Sequence, residues 1–367
     1  MTGILRHFIY ALTLTLARLW PRSRAHKFRL TILKLDRLGD AVLSLGAVRI
    51  LVQEFGEKET LLVVSTVAEP LFRLEFPSVE LLVLPPFCER YFPDLLRFLW
   101  AHAASLRSYS TETLLSLRHQ PSDYLHIIAQ LLAPKICYTS LWTGVGENVS
   151  LAYPRAQHVP YPEVPSEQCL ELEAHRRVLG SLLKREVLIA EVMPTLTALR
   201  ALKGNTLLVC PMAGTAIRHY PPHLLAAAIQ LFLKSKDVPV EFCFAHEADI
   251  EPWRRAMSEV GVACAQWHVT QTLTGLVHLI AGAGWVLAPD SAPAHIATAL
   301  DKPGVFLLGG GHFGIFAPWH RSAQQVWLRE VMDCYQCRWI CHHSEAFCIT
   351  KIQPQEIANS LVKTCAE

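Results

Sequence analysis

Hydrophobic positions along the chain follow two alternating periods. Short apolar runs at 29–35 and 206–210 are typical of buried strands, whereas 41–55 places apolar residues at helical spacing. Because strands alternate with helices, the pattern predicts mostly parallel sheets in an α/β protein. Further strands are predicted at 60–65, 81–84, 113–117, 136–138 and 240–245, and further helices at 93–106, 122–132, 167–183, 222–232, 272–280 and 355–362.

One stretch, 285–311, predicts a complete strand–helix–strand unit. An apolar strand leads through Asp290 and Ser291, residue types that cap helices, into a small-residue helix and a second strand that ends in three glycines. The backbone N–H groups at a helix start and the positive end of the helix dipole suit a phosphate, and His295 lies in the first turn. The alternative is an ordinary crossover with a capping aspartate.

The alternation of strands and helices is interrupted at 186–205, which is predicted to be a linker between two α/β domains. The N-terminal domain is assigned to 28–185 and the C-terminal domain to 206–367. The last helix is expected to return towards the N-terminal domain. Residues 1–27 form a separate, basic and amphipathic segment.

Charge is unevenly distributed. The chain has 367 residues and a net charge of +2, but residues 1–35 hold seven basic side chains and no acidic one. The other 332 residues carry 27 basic and 32 acidic side chains, so the body of the protein is mildly acidic. This balance argues against a nucleic-acid-binding surface.

The N-terminal segment has the pattern of an interfacial helix. Its large apolar residues share one side at helical spacing, namely Leu5, Phe8, Ile9, Leu12, Leu16, Leu19 and Trp20, and basic residues follow. The charge-free run at 8–17 is too short to span a bilayer, and no signal-peptide cleavage site follows it. Attachment to a membrane surface and packing against the protein both remain open.

Three loops lie at the carboxyl ends of predicted strands, where open α/β sheets bind ligands. The loop at 38–40 offers a carboxylate beside a helix start. The loop at 213–219 combines a glycine, a hydroxyl and an arginine, and the loop at 290–295 is the capped helix start. Two loops suited to phosphate in one half, and a carboxylate in the other, indicate a donor site and an acceptor site.

These loops together resemble a known family. The segments are Leu-Asp-Arg-Leu-Gly-Asp-Ala-Val-Leu-Ser at 35–44, Pro-Met-Ala-Gly-Thr-Ala-Ile-Arg-His-Tyr-Pro-Pro at 211–222, and Asp-Ser-Ala-Pro-Ala-His at 290–295 with Gly309 and Gly310 downstream. Their order and spacing over about residues 29–358 are similar to those of glycosyltransferase family 9, the bacterial heptosyltransferases.

The resemblance implies a GT-B fold: two Rossmann-like domains with a central cleft, the donor held by the C-terminal half and the acceptor by the N-terminal half. It also implies inverting transfer of a heptose, or a related sugar, from an ADP-sugar to an acceptor that is lipid-linked or of the lipopolysaccharide-core type. We expect a cytoplasmic enzyme, with the inner-membrane surface as a candidate contact of residues 1–27. The predicted donor-binding residues are Gly214, Thr215, Arg218, Asp290, Ser291 and His295.

Two other functions were weighed against this one. They are a membrane-associated protein that binds nucleotide sugars without turnover, and heptosyl transfer to a protein acceptor. No cofactor is expected for catalysis, because the chain contains no Asp-x-Asp motif to hold a divalent metal. The charge on the leaving diphosphate would then be met by backbone N–H groups, helix ends and Arg218.

Inverting transfer needs a base to take the proton of the acceptor hydroxyl. Asp40 is the predicted base, since it follows the first strand and matches the Gly-Asp of the family. Asp36 is its rival, and the alternative role for Asp40 is a helix cap. Arg37 and Arg118 are further candidates on the acceptor side.

Four of the eleven cysteines are clustered near the C-terminus. Cys334, Cys337, Cys341 and Cys348 have the spacing of metal ligands, and four thiolates can hold zinc or iron in a structural site. Two disulfides and free thiols are the alternatives. The scattered cysteines lie mostly in apolar runs, as buried thiols do.

Overall fold

The structure, a computed structural model, describes residues 11–13, 15–17, 19–21, 26–85, 92–118, 123–141, 156–160, 169–199 and 202–364. The chain forms two compact units. Unit 1 comprises Met1–Glu163 and Glu171–Met193, and unit 2 comprises Val164–Leu170 and Pro194–Glu367. Within the described part of the chain, no helix combines the length and the apolar character needed to cross a bilayer.

Unit 1 is built on a parallel sheet of six strands. Its spatial order is β3-β2-β1-β4-β5-β6, and Leu30 of the central strand pairs with Thr60 on one side and Thr113 on the other. The strands are β1 His26–Lys34, β2 Thr60–Ser65, β3 Glu80–Leu84, β4 Tyr109–Ser116, β5 Ile136–Leu141 and β6 Ala156–Pro160.

The helices of unit 1 follow the predicted alternation with one correction. The helix predicted from residue 41 begins at Leu38 and is broken at Ser44, whose hydroxyl donates to the Ala41 carbonyl at 2.7 Å. Such a bond competes with the backbone ladder and splits the helix into two. The helices are α1 Leu38–Leu43, α2 Leu45–Phe55, α3 Glu69–Glu75, α4 Phe92–Ser108, α5 Asp123–Leu132, α6 Leu170–Leu183 and α7 Ile189–Val192.

Unit 2 repeats the design of unit 1. Its six parallel strands are ordered β12-β11-β10-β7-β8-β9. The strands are β7 Leu207–Val209, β8 Val240–Phe244, β9 Gln266–Val269, β10 Trp285–Pro289, β11 Gly304–Leu307 and β12 Gln325–Leu328. The helices are α8 Pro222–Leu233, α9 Glu251–Glu259, α10 Leu273–Gly282, α11 Ala292–Ala299, α12 Phe347–Thr350 and α13 Pro354–Thr364.

Several elements escaped the sequence pattern. Strands β6, β9 and β12 and helices α3 and α9 were not predicted, because each is short and its apolar residues are few. Strand β9, for example, has no fully buried residue. Helix α13 buries Ile357 and Leu361 in the core of unit 2. Its predicted return towards the N-terminal half stays a prediction, since these contacts lie within unit 2.

The described residues of the predicted linker are divided between the two units. Helix α7 packs on α2, where a side chain at Gly46 would collide with the Val192 carbonyl. From Pro194 onward the chain belongs to unit 2, and the Leu196 N–H donates to the Ala299 carbonyl at 3.1 Å. One of the changes of unit, between Met193 and Pro194, therefore falls inside 186–205.

The two sheets share one topology. In each, the chain builds three strands outward from the centre and then crosses over to build three more on the other side. The direction reverses between β1 and β4 in unit 1 and between β7 and β10 in unit 2. Such switch points, at the carboxyl ends of the strands, are where doubly wound sheets bind ligands.

Candidate active site

The loops at the two switch points are the ones that carry the predicted site residues. In unit 2, the loop after β7 holds Gly214, Thr215 and Arg218, and the loop after β10 holds Asp290 and Ser291. In unit 1, the loop after β1 leads to Asp36 and Asp40, and Arg118 follows β4. The fold therefore brings the predicted residues of each half to one place in that half.

Arg218 joins the two loops of unit 2. Its Nε atom donates to the Thr215 hydroxyl at 3.3 Å, and its Nη1 atom donates to the Asp290 carbonyl at 3.1 Å. The guanidinium carbon also lies 5.7 Å from the centre of the Trp339 ring, within the range of a cation–π contact. A fixed cation is thus held beside the start of α11. Gly214 and Thr215 are exposed on the loop.

The start of α11 has no side-chain cap. Ser291 occupies the cap position, as predicted, but its side chain makes no capping hydrogen bond. The hydroxyl donates instead to the Pro289 carbonyl at 3.0 Å. Pro293 has no N–H group, and the Ala294 and His295 N–H groups donate to the Ser291 carbonyl, so Ala292 supplies the helical N–H group that could face an anion here.

Asp290 and His295 form a buried pair behind this helix start. His295 Nε2 lies 3.6 Å from Asp290 Oδ1, and the Trp319 indole N–H donates to His295 Nδ1 at 2.9 Å. Because Nδ1 accepts that bond, Nε2 carries the ring proton that faces the carboxylate. Both ring nitrogens of His295 are therefore engaged inside unit 2, and the ring supports Asp290.

The charge of Asp290 is held by its surroundings. Burial alone would raise the pKa of this carboxyl group, but the hydrogen bond and charge of His295, with the charges of Arg218 and His312, outweigh burial. The pKa of Asp290 is therefore lowered, and the group is ionised at neutral pH.

A glycine loop after β11 completes this side of unit 2. A side chain at Gly310 would collide with the Tyr335 ring, and one at Gly311 would collide with Trp339. Trp339 also donates its indole N–H to His312 Nδ1 at 3.2 Å. The segment that carries the cysteines therefore packs directly on this loop and, through Trp339, on Arg218.

The four clustered cysteines line one small cavity of about 10 Å³ beside Gly310 and Trp339. All four are free thiols in this structure, which does not contain the alternative of two disulfides. Burial raises the pKa of the Cys348 thiol, the Gly310 N–H lowers it, and the charges of Cys334, Cys337 and Cys341 raise it further. Among the described residues, no three His, Cys, Asp or Glu side chains form a group that could hold a metal ion.

Unit 1 contains a buried cluster of charges at its own switch point. Lys34, at the end of β1, is 2% exposed and lies 3.2 Å from Asp36 Oδ2 and 3.3 Å from Glu171 Oε1. Its ammonium group also donates to the Leu117 carbonyl at 2.9 Å. Burial acts to lower the pKa of Lys34, but Asp36, Glu171 and Asp40 outweigh it, so the pKa is raised and the side chain stays charged.

The two candidate bases have different surroundings in this cluster. Asp36 contacts two cations, since its other oxygen lies 3.3 Å from Arg118 Nε. Asp40 lies in the first turn of α1 and is partly exposed, and the cap position of that helix belongs to Arg37, which is exposed. Asp40 is thus not the N-cap residue, and like Asp36 it is partly buried.

Some residues of these clusters were not foreseen. Lys34 had a signal, because a lysine at the end of a buried apolar strand requires partners. Glu171 and His175 had none, since their contacts with Lys34 and Leu117 span more than fifty residues of sequence. Trp319 and Trp339 likewise belong to no motif.

Two α/β units, each built on a parallel sheet with ligand-binding loops at its switch point, define the GT-B class of glycosyltransferases. The structure of E. coli heptosyltransferase WaaC with ADP has a TM-score of 0.67 and 18% identity over 92% of this chain and 99% of that chain. A family 9 glycosyltransferase from Veillonella parvula has a TM-score of 0.68 and 14% identity over 94% and 98%. The iron-containing dodecameric TibC from enterotoxigenic E. coli has a TM-score of 0.51 and 14% identity over 93% and 77%.

Comparison of the sequence with family models gives the assignment. The model of glycosyltransferase family 9 (heptosyltransferase) matches residues 140–342, more than half of the chain. The chain therefore belongs to glycosyltransferase family 9 and is a heptosyltransferase-like enzyme. No curated protein gave a significant match.

Proposed function

We propose that this enzyme transfers a heptose, or a related sugar, from an ADP-sugar to a hydroxyl group of an acceptor, with inversion at the anomeric carbon. The observation that carries the proposal is the position of Arg218, whose guanidinium group contacts both Thr215 and the Asp290 carbonyl beside the start of α11. A fixed cation and the N–H group of Ala292 together suit a diphosphate. The ligands of the WaaC structures, ADP and ADP-2-deoxy-2-fluoro heptose, support ADP as the nucleotide.

In the proposed reaction, the Asp40 carboxylate takes the proton of the acceptor hydroxyl as its oxygen attacks the anomeric carbon. The bond from that carbon to the β-phosphate oxygen breaks, and ADP leaves with the bonding electron pair. Arg218 and the N–H group of Ala292 stabilise the negative charge that develops on the diphosphate. Asp290, held ionised by His295, fixes the loop whose carbonyl accepts from Arg218.

This chemistry needs no divalent metal at the diphosphate, because protein groups supply the positive charge. The chain also contains no Asp-x-Asp motif, the usual metal-binding element of metal-dependent sugar-nucleotide enzymes. For the acceptor, we propose a lipid-linked or lipopolysaccharide-core-type glycan, as is implied by membership of the family.

We also propose a structural zinc or iron ion at the cysteine cluster, whose four thiols would have to move closer together than they lie in this structure to bind it. Thiolates are the ligands these metals prefer, and a cation would relieve the repulsion that raises the pKa of Cys348. The iron-containing description of TibC supports this. Elemental analysis of the purified protein should find one bound ion per chain, and Cys334→Ser with Cys337→Ser should remove it. Cys264→Ser, a partly buried cysteine elsewhere in unit 2, is the matched control.

A panel of nucleotide sugars tests the donor. ADP-heptose and ADP should raise the melting temperature, and ADP release with product formation should require an acceptor. Ligand at a hundredfold excess over its Kd stabilises by about 2.7 kcal/mol. Stabilisation by UDP-sugars alone would refute the proposed donor. Binding of ADP-heptose without turnover on any glycan or protein acceptor would instead indicate a protein that binds nucleotide sugars without transferring them.

Arg218→Ala should weaken the binding of ADP and of the ADP-sugar together, since both carry the diphosphate. Hydrogen bonds to charged groups contribute roughly 1.5–3 kcal/mol, so a loss of about tenfold or more in affinity is expected by calorimetry. Arg254→Ala, which removes an exposed arginine from α9, is the control. Unchanged ADP affinity in the Arg218 variant would remove this residue from the site.

A further inference from the structure

Two buried cysteines lie side by side on neighbouring strands of unit 2. Strands β7 and β8 are parallel, with Val209 opposite Phe242, so the residues that follow them, Cys210 and Cys243, lie opposite each other. Both thiols are free, and the two residues are 2% and 5% exposed. Side chains at opposite positions of a parallel pair project to the same face of the sheet. The two sulfur atoms are therefore neighbours.

The spacing of these strands suits a bond between the two sulfur atoms. Neighbouring strands lie about 4.8 Å apart, and the α-carbons of a disulfide are usually roughly 4.4–6.8 Å apart. The thiols already form a hydrogen bond with each other, and a disulfide would shorten their separation to about 2.05 Å. The sheet can therefore accept the bond without a change of strand order or register.

The hydrogen bond between the thiols makes Cys243 the more acidic partner. It lowers the pKa of Cys243 below its ordinary value of 9.0, against the effect of burial, and it raises the pKa of Cys210. Burial alone acts in the other direction, since it raises the pKa of Cys137 to about 12 and the pKa of Cys264 to about 11. The thiolate is the reactive form of cysteine, so Cys243 is the first of the pair to react with an oxidant.

Cys243 also lies one strand from the open edge of the sheet. Strand β9 is the edge strand beside β8, and its residue opposite Cys243 is His268. His268 is partly exposed, and its Nε2 atom lies 2.9 Å from Glu241 Oε2. A small, uncharged oxidant therefore has one partly exposed side chain to pass before it reaches Cys243.

Cys210 directly precedes the loop that carries Arg218. Its N–H group donates to the Leu287 carbonyl of β10 at 2.9 Å, so it joins β7 to the strand that leads to Asp290. A disulfide would draw Cys210 towards β8 and away from β10. The contact of Arg218 with the Asp290 carbonyl depends on how the loops after β7 and β10 face each other. The oxidation state of the pair is therefore coupled to the position of Arg218.

We infer that Cys210 and Cys243 form a site of reversible oxidation by peroxide, and that the resulting disulfide weakens the binding of the diphosphate. The Cys243 thiolate attacks one peroxide oxygen, the O–O bond breaks, and the other oxygen leaves as hydroxide and is protonated to water. Cys210 then gives up its proton and attacks the sulfur of the sulfenic acid, whose oxygen leaves as the second water. The two thiols lose two electrons, and one peroxide is reduced to two waters. The oxidation concerns the thiols alone, whereas its effect on the diphosphate rests on the proposed function.

Disulfide mapping of the full chain after peroxide treatment tests the oxidation. Reduced protein is treated with hydrogen peroxide, its remaining thiols are alkylated in denaturant, and its peptides are analysed by mass spectrometry. We expect two peptides linked through Cys210 and Cys243, lighter by two hydrogen atoms than the separate peptides and released by dithiothreitol. Oxidation of the four clustered cysteines without this linked pair would overturn the inference.

Calorimetry with ADP measures the effect on the diphosphate. Peroxide should weaken ADP binding by the parent by about tenfold or more, as expected for a lost hydrogen bond to a charged group, and dithiothreitol should restore it. Cys243→Ser and Cys210→Ala cannot form the disulfide, so each should keep its ADP affinity after the same treatment. Cys264→Ser retains the pair and should respond as the parent does.

An equal loss of affinity in the Cys243 and Cys210 variants would assign the effect to the clustered cysteines and overturn the inference. A linked pair without any change in ADP affinity would overturn it as well. Failure of the reduced parent to bind ADP would instead contradict the proposed function, and the linked peptides would then decide whether the pair is a site of oxidation.

Discussion

At the residue scale, the catalytic proposal depends on the difference between Asp36 and Asp40, which lie two and six residues after the end of β1. Asp36 is enclosed by Lys34 and Arg118, and its contacts make it part of a structural ion cluster. Asp40 lies in the first turn of α1, partly exposed, and its charge is one of those that raise the pKa of Lys34. The physical distinction is therefore between Asp36, which lies between two cations, and Asp40, which lies in the first turn of α1.

Asp40→Asn tests this distinction. The amide keeps the shape and hydrogen-bonding oxygen of the side chain but cannot take a proton, so kcat should fall by roughly 10²–10⁴-fold. The melting temperature and ADP affinity should stay close to those of the parent. Asp36→Asn should instead lower the stability more than the turnover. It removes a negative charge beside the buried ammonium group of Lys34, and a buried charge without its partner is destabilising. Near-normal turnover of the Asp40 variant would exclude it as the base.

The ionisation of Asp290 predicts a pH dependence of stability. Its pKa in the folded protein lies below the ordinary value of 3.8, so its charge stabilises the fold above that pH. The contribution is lost as the pH falls below 3.8 through the folded pKa. Asp290→Asn should therefore be less stable than the parent at neutral pH, and the difference should shrink in acid.

Denaturant unfolding at a series of pH values would measure this effect. Asp237→Asn is a suitable control, since Asp237 is exposed in unit 2 and removing its charge should leave the pH profile unchanged. A constant difference between the Asp290 variant and the parent at all pH values would mean that the carboxylate acts only through its shape.

At the scale of elements, the cysteine segment and the glycine loop behave as one support for Arg218. Gln336 N–H donates to the Gly310 carbonyl at 2.7 Å, and Arg338 N–H donates to the Gly311 carbonyl at 2.9 Å. Trp339, on the same segment, faces the guanidinium of Arg218. A substitution in this segment should therefore weaken the binding of the diphosphate, although none of the cysteines in the segment is predicted to contact the donor.

Gly310→Ala tests this coupling. The new methyl group would collide with the Tyr335 ring and displace the segment, at a cost of about 1–3 kcal/mol for overpacking. We expect a lower melting temperature and weaker ADP binding by calorimetry. Gly282→Ala is the matched control, because a methyl group there meets nothing within 4 Å. Unchanged ADP affinity in a destabilised Gly310 variant would separate the segment from the site.

The elements also show which features of the fold and of the candidate site can be predicted from the sequence. Loops after strands were predictable, because apolar runs mark strands and the switch point follows from their order. The contacts of His295 with Trp319 and Asp290 were not predictable from its position in the first turn, and its contact with the donor stays a prediction. Contacts between residues distant in sequence leave no local periodicity, so only the folded arrangement reveals them.

At the scale of the whole molecule, the absence of an Asp-x-Asp motif predicts turnover without added magnesium. After brief treatment with EDTA, kcat should be the same with and without added Mg²⁺, because the positive charge at the diphosphate comes from Arg218 and backbone N–H groups. A metal-dependent glycosyltransferase assayed in parallel is the control. Recovery of activity only on addition of Mg²⁺ would contradict the proposed mechanism.

The chain passes between the units three times, and this has a consequence for recombination. Val164–Leu170 belongs to unit 2 although residues on both sides belong to unit 1. Leu170 N–H donates to the Gly314 carbonyl at 2.8 Å, and the Cys169 thiol contacts the Phe316 carbonyl at 3.3 Å. A gene fusion with a single junction between residues 193 and 194 would separate this segment from its own partners, Gly314 and Phe316, and pair it with the corresponding loop of another protein. Exchange of the donor-binding half between family members, in the laboratory or in a genome, should therefore succeed more often when residues 164–170 travel with it.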